Sequence, residues 1–207
     1  QVKAAGACVK LMAQPALLRL LRPLPWLDAV VAQTDAPPAA DYVLPLLSLP
    51  ARLGLQLAEL PGDLPYLAAP AENLAAWRQR LADLPRPRGQ ATPRPRIGLV
   101  SSGDPRPHDP ESQRIDARRS LPLAQLAPLF ANTPEYAWFS LQKGSAAAQA
   151  AAWPQLLDYS GEWQDFADTA ALVAQLNLVI TVDTAMAHLS AALGKPTWVL
   201  SRFDACW

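Results

Sequence analysis

Leu178-Val179-Ile180-Thr181-Val182-Asp183-Thr184-Ala185-Met186-Ala187-His188-Leu189 is the stretch that decides the fold. Its first five residues are apolar or β-branched without alternation, which suits a strand covered on both faces. Asp183 and Thr184 are of the types that cap helices, and the following residues favour helix until Gly194 stops it. Pro196 then precedes another strand over 197–200. Strand, tight turn, helix and strand in succession make a βαβ unit with parallel strands.

Working outward, Ile97-Gly98-Leu99-Val100 and residues 136–141 read as further strands, with a short one at Leu156-Leu157. Helices are expected over 122–130, 146–152 and 169–176, the last capped by Asp168. Residues 101–120 read as a long polar loop. Nearer the start, strands are expected over 7–12 and 28–32, with a third over 42–47 weakened by Pro45. Pro15 opens a helix through Leu21, and another helix is expected over 52–57. Residues 71–81 carry Leu74, Trp77 and Leu81 on one stripe. The segment 85–95, rich in proline and arginine, reads as a linker. The fold class is α/β: a Rossmann-like, doubly wound parallel sheet over 96–207, an interdomain helix and linker over 69–95, and part of a second Rossmann-like domain over 1–68.

Composition narrows the function classes. Of 207 residues, 51% are hydrophobic and 17% charged, enough apolar material for a core and too little charge for global disorder. Eighteen basic residues balance eighteen acidic ones, which argues against a nucleic-acid-binding surface. Cys8 and Cys206 form neither a disulfide framework nor a CxxC motif, and His108 and His188 lie too far apart for a metal site alone. No apolar run approaches the roughly 18 residues that span a bilayer. With no basic-then-apolar leader at Gln1, a cytoplasmic protein is expected. The chain opens in a strand and stops just after one, so a fragment of a longer protein is expected.

In open parallel sheets ligands bind at the carboxyl ends of the strands. Four loops occupy that edge: Ser101-Ser102-Gly103, Gln142-Lys143-Gly144, Asp165-Phe166-Ala167-Asp168-Thr169 and Asp183-Thr184-Ala185-Met186. The amides of Ala185 and Met186, at the positive end of a helix, suit a diphosphate, and Asp183 suits sugar hydroxyls. A simple helix cap is the commoner role for residues placed as Asp183 and Thr184 are, and a histidine placed as His188 is more often packed or helix-bonded than an acid or base. Lys143 is either a phosphate contact or a surface lysine, and Phe166 either stacks on a base or belongs to the core. The 101–120 loop mixes Arg106, Arg114, Arg118 and Arg119 with Asp104, Asp109, Glu111 and Asp116, and its length makes one arginine reaching the cleft reasonable. GxGxxG, Walker, HExxH and GxSxG motifs are all absent from the sequence, which weakens dehydrogenase, NTPase, zinc-protease and hydrolase readings.

Thr181-Val182-Asp183-Thr184-Ala185-Met186-Ala187-His188-Leu189-Ser190-Ala191-Ala192-Leu193-Gly194-Lys195-Pro196 resembles the donor-site signature of the bacterial heptosyltransferase-like (family 9) glycosyltransferases. More closely it resembles the glycosyltransferase domain found behind tetratricopeptide repeats. Phe139-Ser140-Leu141-Gln142-Lys143-Gly144, Asp165-Phe166-Ala167-Asp168-Thr169-Ala170, Pro45-Leu46-Leu47-Ser48-Leu49-Pro50 and Pro65-Tyr66-Leu67 fit the same group in order. The resemblance implies a GT-B architecture, in which two Rossmann-like domains face a cleft and the second grips a nucleotide-diphosphate sugar without metal or other cofactor. It puts sugar hydroxyls on Asp183, the diphosphate on the backbone from Thr184 to Met186, and Gln142 and Lys143 by the nucleotide. Asp116, Arg119 and Ser120 fall in the loop that faces the donor phosphates. The candidate donor-site set is therefore Ser101, Ser102, Gly103, Asp116, Arg119, Gln142, Lys143, Phe166, Asp168, Thr169, Asp183, Thr184, Ala185, Met186 and His188.

Two positions depart from the family pattern: Ser101 replaces an aromatic residue, and Asn177 stands where Asp is common. The family's Gly-rich loop, with its suspected acidic base, would precede Gln1, so no catalytic residue is assigned and tetratricopeptide repeats are expected upstream. The expected activity is glycosyl transfer to an unknown acceptor, a glycan or a protein. A non-catalytic nucleotide-sugar-binding or scaffold module is the alternative, and a sugar-nucleotide epimerase a third reading.

Overall fold

The computed structural model describes residues 1–60, 62–84, 92–106 and 108–202, so most of the expected linker and Cys206 lie outside the described residues. The chain divides into two compact units, Gln1–Leu64 and Pro65–Trp207.

In the first unit, β1 (Lys10–Ala13) pairs in parallel with β2 (Ala29–Ala32), Lys10 opposite Ala29 and Ala13 opposite Ala32. Pro15 begins a single 3-10 turn that continues into α1 (Leu18–Leu21), which crosses back to β2. The expected strand over 42–47 does not form. Pro45 lacks the N–H that a ladder needs, and it leads into a 3-10 turn, Leu46–Ser48, and α2 (Leu49–Arg52). The helix expected over 52–57 thus ends where it was placed to begin, because Pro50 favours the first turn and Gly54, with φ of 65°, ends it. The buried apolar side chains described here are few: Ala13, Leu20, Val30 and Ala32. Against β1 lies an open apolar hollow of about 920 Å³, lined among others by Leu11, Met12, Trp26, Leu27 and Val43.

The second unit begins with Pro65-Tyr66-Leu67, whose last two amides both donate to the Ala192 carbonyl, at 3.0 and 3.1 Å. Then come α3 (Ala71–Ala82), β3 (Arg96–Val100), α4 (Pro110–Arg119), α5 (Leu123–Ala131), β4 (Ala137–Ser140) and β5 (Leu156–Asp158). The chain closes with α6 (Phe166–Val173), β6 (Leu178–Val182), α7 (Ala185–Ala192) and β7 (Thr197–Leu200). All five strands are parallel in the order β5-β4-β3-β6-β7. Val179, Ile180, Thr181 and Val182 are all buried, as a strand covered on both faces requires.

One face of this sheet packs Ile97, Leu99, Trp138 and Ile180 against Leu126 and Phe130 of α5. Across the sheet, Gly98 admits the methyls of Leu141 and Leu176, which stand 2.5 and 2.7 Å from where a Cβ would lie. Three local expectations need correction. The 101–120 segment contains α4, because Asp109 caps the amides of Glu111 and Ser112 and Pro110 suits the first helical position. Residues 145–152 form 3-10 turns rather than an α-helix. α6 starts three residues earlier than expected, its cap being Asp165, whose carboxylate accepts from the Ala167 and Asp168 amides.

Candidate functional site

From β3 the chain winds outward through β4 and β5, then returns to place β6 on the other side of β3. In open parallel sheets such a reversal, here at the carboxyl ends of β3 and β6, is where ligands bind. The loops after β3, β4 and β6 meet there through a continuous hydrogen-bond network.

Gln142, just beyond β4 and 8% exposed, is its bracket. Its Oε1 accepts from the Ser101 and Ser102 amides at 3.2 and 3.0 Å. Its Nε2 donates to the carbonyls of Ser102 and Lys143 at 2.9 and 3.3 Å. The Gly103 amide donates to Ser120 Oγ at 3.0 Å, and that hydroxyl donates to Asp116 Oδ2 at 3.2 Å. Arg119 Nε donates to Asp116 Oδ1 at 3.1 Å, while Nη1 donates to the Asp183 carbonyl at 2.9 Å. The charged pair is largely withdrawn from water, with side-chain exposures of 21% for Arg119 and 9% for Asp116. Burying it carries a desolvation cost, so losing one partner would cost more than the pair gains.

This network places four of the candidate donor-site residues. Asp116 is a buried anchor on the last turns of α4. The amides of Ser101, Ser102 and Gly103 are committed within the protein and do not point out as ligand donors. Glycine is nevertheless required at position 103. A Cβ there would lie 1.9 Å from Asp116 Oδ1 and 2.5 Å from Arg119 Nη2.

At the β6 end, Thr184 caps α7, its hydroxyl accepting from the Met186 amide at 3.3 Å and lying 3.2 Å from the Thr181 hydroxyl. The Met186 amide is therefore spent, and its side chain is buried. The Ala185 amide and the Asp183 carboxylate have no hydrogen-bond partner among the described residues, and Ala185 is exposed. His188 is exposed one turn into α7.

The other two expected loops are engaged differently. Lys143 Nζ donates to the carbonyls of Ser160 and, at 3.0 Å, Trp163, with the Trp163 ring 5.9 Å away. Two of its three N–H donors thus stitch the β4 loop to the segment before α6. Asp168 is tied to α3: Oδ1 accepts from Asn73 Nδ2 at 2.7 Å and Oδ2 from the Gln164 amide at 2.9 Å. The Thr169 hydroxyl donates to the Asp165 carbonyl, and Phe166 is half-buried at the start of α6. Asn73, on a distant helix, carries no sequence signal for this partnership. Beside it, Arg80 of α3 stacks on the rings of Tyr159 and Trp77 and pairs with Glu162. That pairing holds the Glu162 carboxyl below its ordinary range and raises Arg80 further. Among the described residues no group of three or more His, Cys, Asp or Glu could hold a metal ion.

The model of glycosyltransferase family 9 (heptosyltransferase) matches residues 164–200. That stretch runs from the residue before the α6 cap through β7. It therefore includes the whole β6–α7 turn. Among solved structures, E. coli ADP-heptose LPS heptosyltransferase II is similar at 19% identity with a TM-score of 0.45, over 69% of this chain. The match covers 41% of the length of that protein. No match to a curated protein was found.

Proposed function

We propose that the second unit binds a nucleotide-diphosphate sugar at the carboxyl ends of β3 and β6 and belongs to a glycosyltransferase. The observation that carries this reading is local. The stretch matching a family 9 glycosyltransferase model builds the turn where Asp183, whose carboxylate has no partner among the described residues, precedes the exposed first residue of α7, Ala185. The two groups have complementary uses. A carboxylate accepts hydrogen bonds from sugar hydroxyls and repels phosphate, whereas a helix N-terminus attracts phosphate.

In the transfer, the bond from the anomeric carbon to the diphosphate oxygen breaks as an acceptor oxygen bonds that carbon. Negative charge grows on the departing diphosphate. Fixed donors aimed at that charge lower the barrier; the Ala185 amide and the dipole of α7 are assigned that role, with Lys143 adding positive charge from the neighbouring β4 loop. Gln142 acts through the backbone it holds rather than on the nucleotide. The acceptor and its base are not assigned to residues of this chain.

The test is a thermal-shift panel with UDP, ADP, GDP and their sugar conjugates. A ligand at 100 times its dissociation constant adds about 2.7 kcal/mol, a readable displacement of the unfolding temperature. Stabilisation by one nucleotide series supports the reading. A folded chain that none of them stabilises favours a scaffold module.

A further inference from the structure

Asp183 sits in a gap between two well-determined pieces of backbone. The last ladder pairs of β6 are Thr181 with Val100 and Val182 with Leu200, so strand pairing ends one residue before it. Helix α7 begins two residues after it and is fixed independently by its Thr184 cap. Between them, the hydrogen bond described for Asp183 is the one its carbonyl accepts from Arg119 Nη1 at 2.9 Å. Arg119 is itself held by Asp116, which Ser120 and Gly103 back in turn. The guanidinium fork joins two elements, with Nε on an α4 carboxylate and Nη1 on the β6 turn.

We infer that Arg119 is a positioning residue for Asp183, setting where the sugar-facing carboxylate stands and not serving as a diphosphate ligand. The inference rests on the donor site proposed above and specifies how it selects the sugar. A planar fork suits this task because one rigid group makes both bonds; a lysine ammonium could make either bond but lacks the fixed spacing for both. Because Ala185 is set by the helix and its cap, the two halves of a nucleotide sugar depend on different anchors.

That separation makes the inference testable by titration calorimetry. The quantity read is the ratio of affinities for a nucleotide sugar and for its parent nucleoside diphosphate, with UDP, ADP and GDP and their hexose conjugates as probes. Arg119→Ala should bring that ratio toward one while leaving the diphosphate affinity near that of the unchanged chain. Arg119→Lys, the milder variant, serves if Arg119→Ala does not fold, and should lower the ratio part-way. Exposed Arg114→Ala controls for loss of a positive charge on the same helix and should leave both affinities unchanged. Equal weakening of nucleotide and nucleotide sugar in the Arg119 variants would overturn the inference and make Arg119 a phosphate contact, with the donor site intact. Failure of the unchanged chain to bind any probe would instead defeat the donor site itself, and the inference with it.

Discussion

A methyl group at position 103 would have to occupy space already held by the Asp116 carboxylate and the Arg119 guanidinium. Both are pinned by other bonds and cannot swing away cheaply. Gly103→Ala is therefore expected to cost about 1–3 kcal/mol, the usual penalty for overpacking. Denaturant unfolding should register it as a lower midpoint with an unchanged slope. Asp116→Ala acts differently, leaving Arg119 Nε and the Ser120 hydroxyl without their acceptor in a largely buried site. Its expected cost is also about 1–3 kcal/mol, whereas the exposed Arg114→Ala should stay within about 0.5 kcal/mol. Glu162 supplies a pH-dependent case. Its carboxyl is held low by Arg80, so its contribution is present above the ordinary glutamate range and is lost as pH falls through the lower folded value. Compared with Glu162→Gln, the unchanged chain should be more stable at neutral pH and equal to it in strong acid. The difference should be small and should shrink with salt, because both side chains are about half exposed.

At the scale of elements, α6 shows why helix starts are hard to place from sequence. Asp165 and Asp168 are both acceptable caps; in the fold Asp165 caps the amides while Asp168 accepts from Asn73 and from the Gln164 amide. Asp165→Ala should cost about 1 kcal/mol through the lost cap, and Asp168→Ala should also loosen α3, readable as faster amide exchange along that helix. The strands were legible because β3, β4 and β6 are continuous apolar runs, a pattern that buried parallel strands impose. Helix α4 was hidden by its polarity: ten residues with Asp116 alone buried look like a solvated loop. Its Asp109-Pro110 start was the signal available. The turn at Asp183 was readable from capping types and the small residues after it. That Gln142 and Lys143 would serve backbone carbonyls was not, because side chains of this length find partners set by tertiary packing.

Across the whole molecule, burial is uneven. The second unit has a five-stranded sheet with α6 and β6 almost wholly inaccessible, while the first buries few apolar side chains and leaves Tyr42, Val43 and Leu47 at least 80% exposed. Amide exchange should accordingly be fastest in β1 and β2 and slowest in β3, β6 and α6. A nucleotide-diphosphate sugar is proposed to bind at the carboxyl ends of β3 and β6. The most direct test is amide chemical-shift mapping of the isotope-labelled chain during titration with nucleotide sugars. The largest changes are predicted at Asp183, Thr184 and Ala185, with smaller ones at Lys143. Changes confined to the hollow beside β1, or none at saturating ligand, would contradict it.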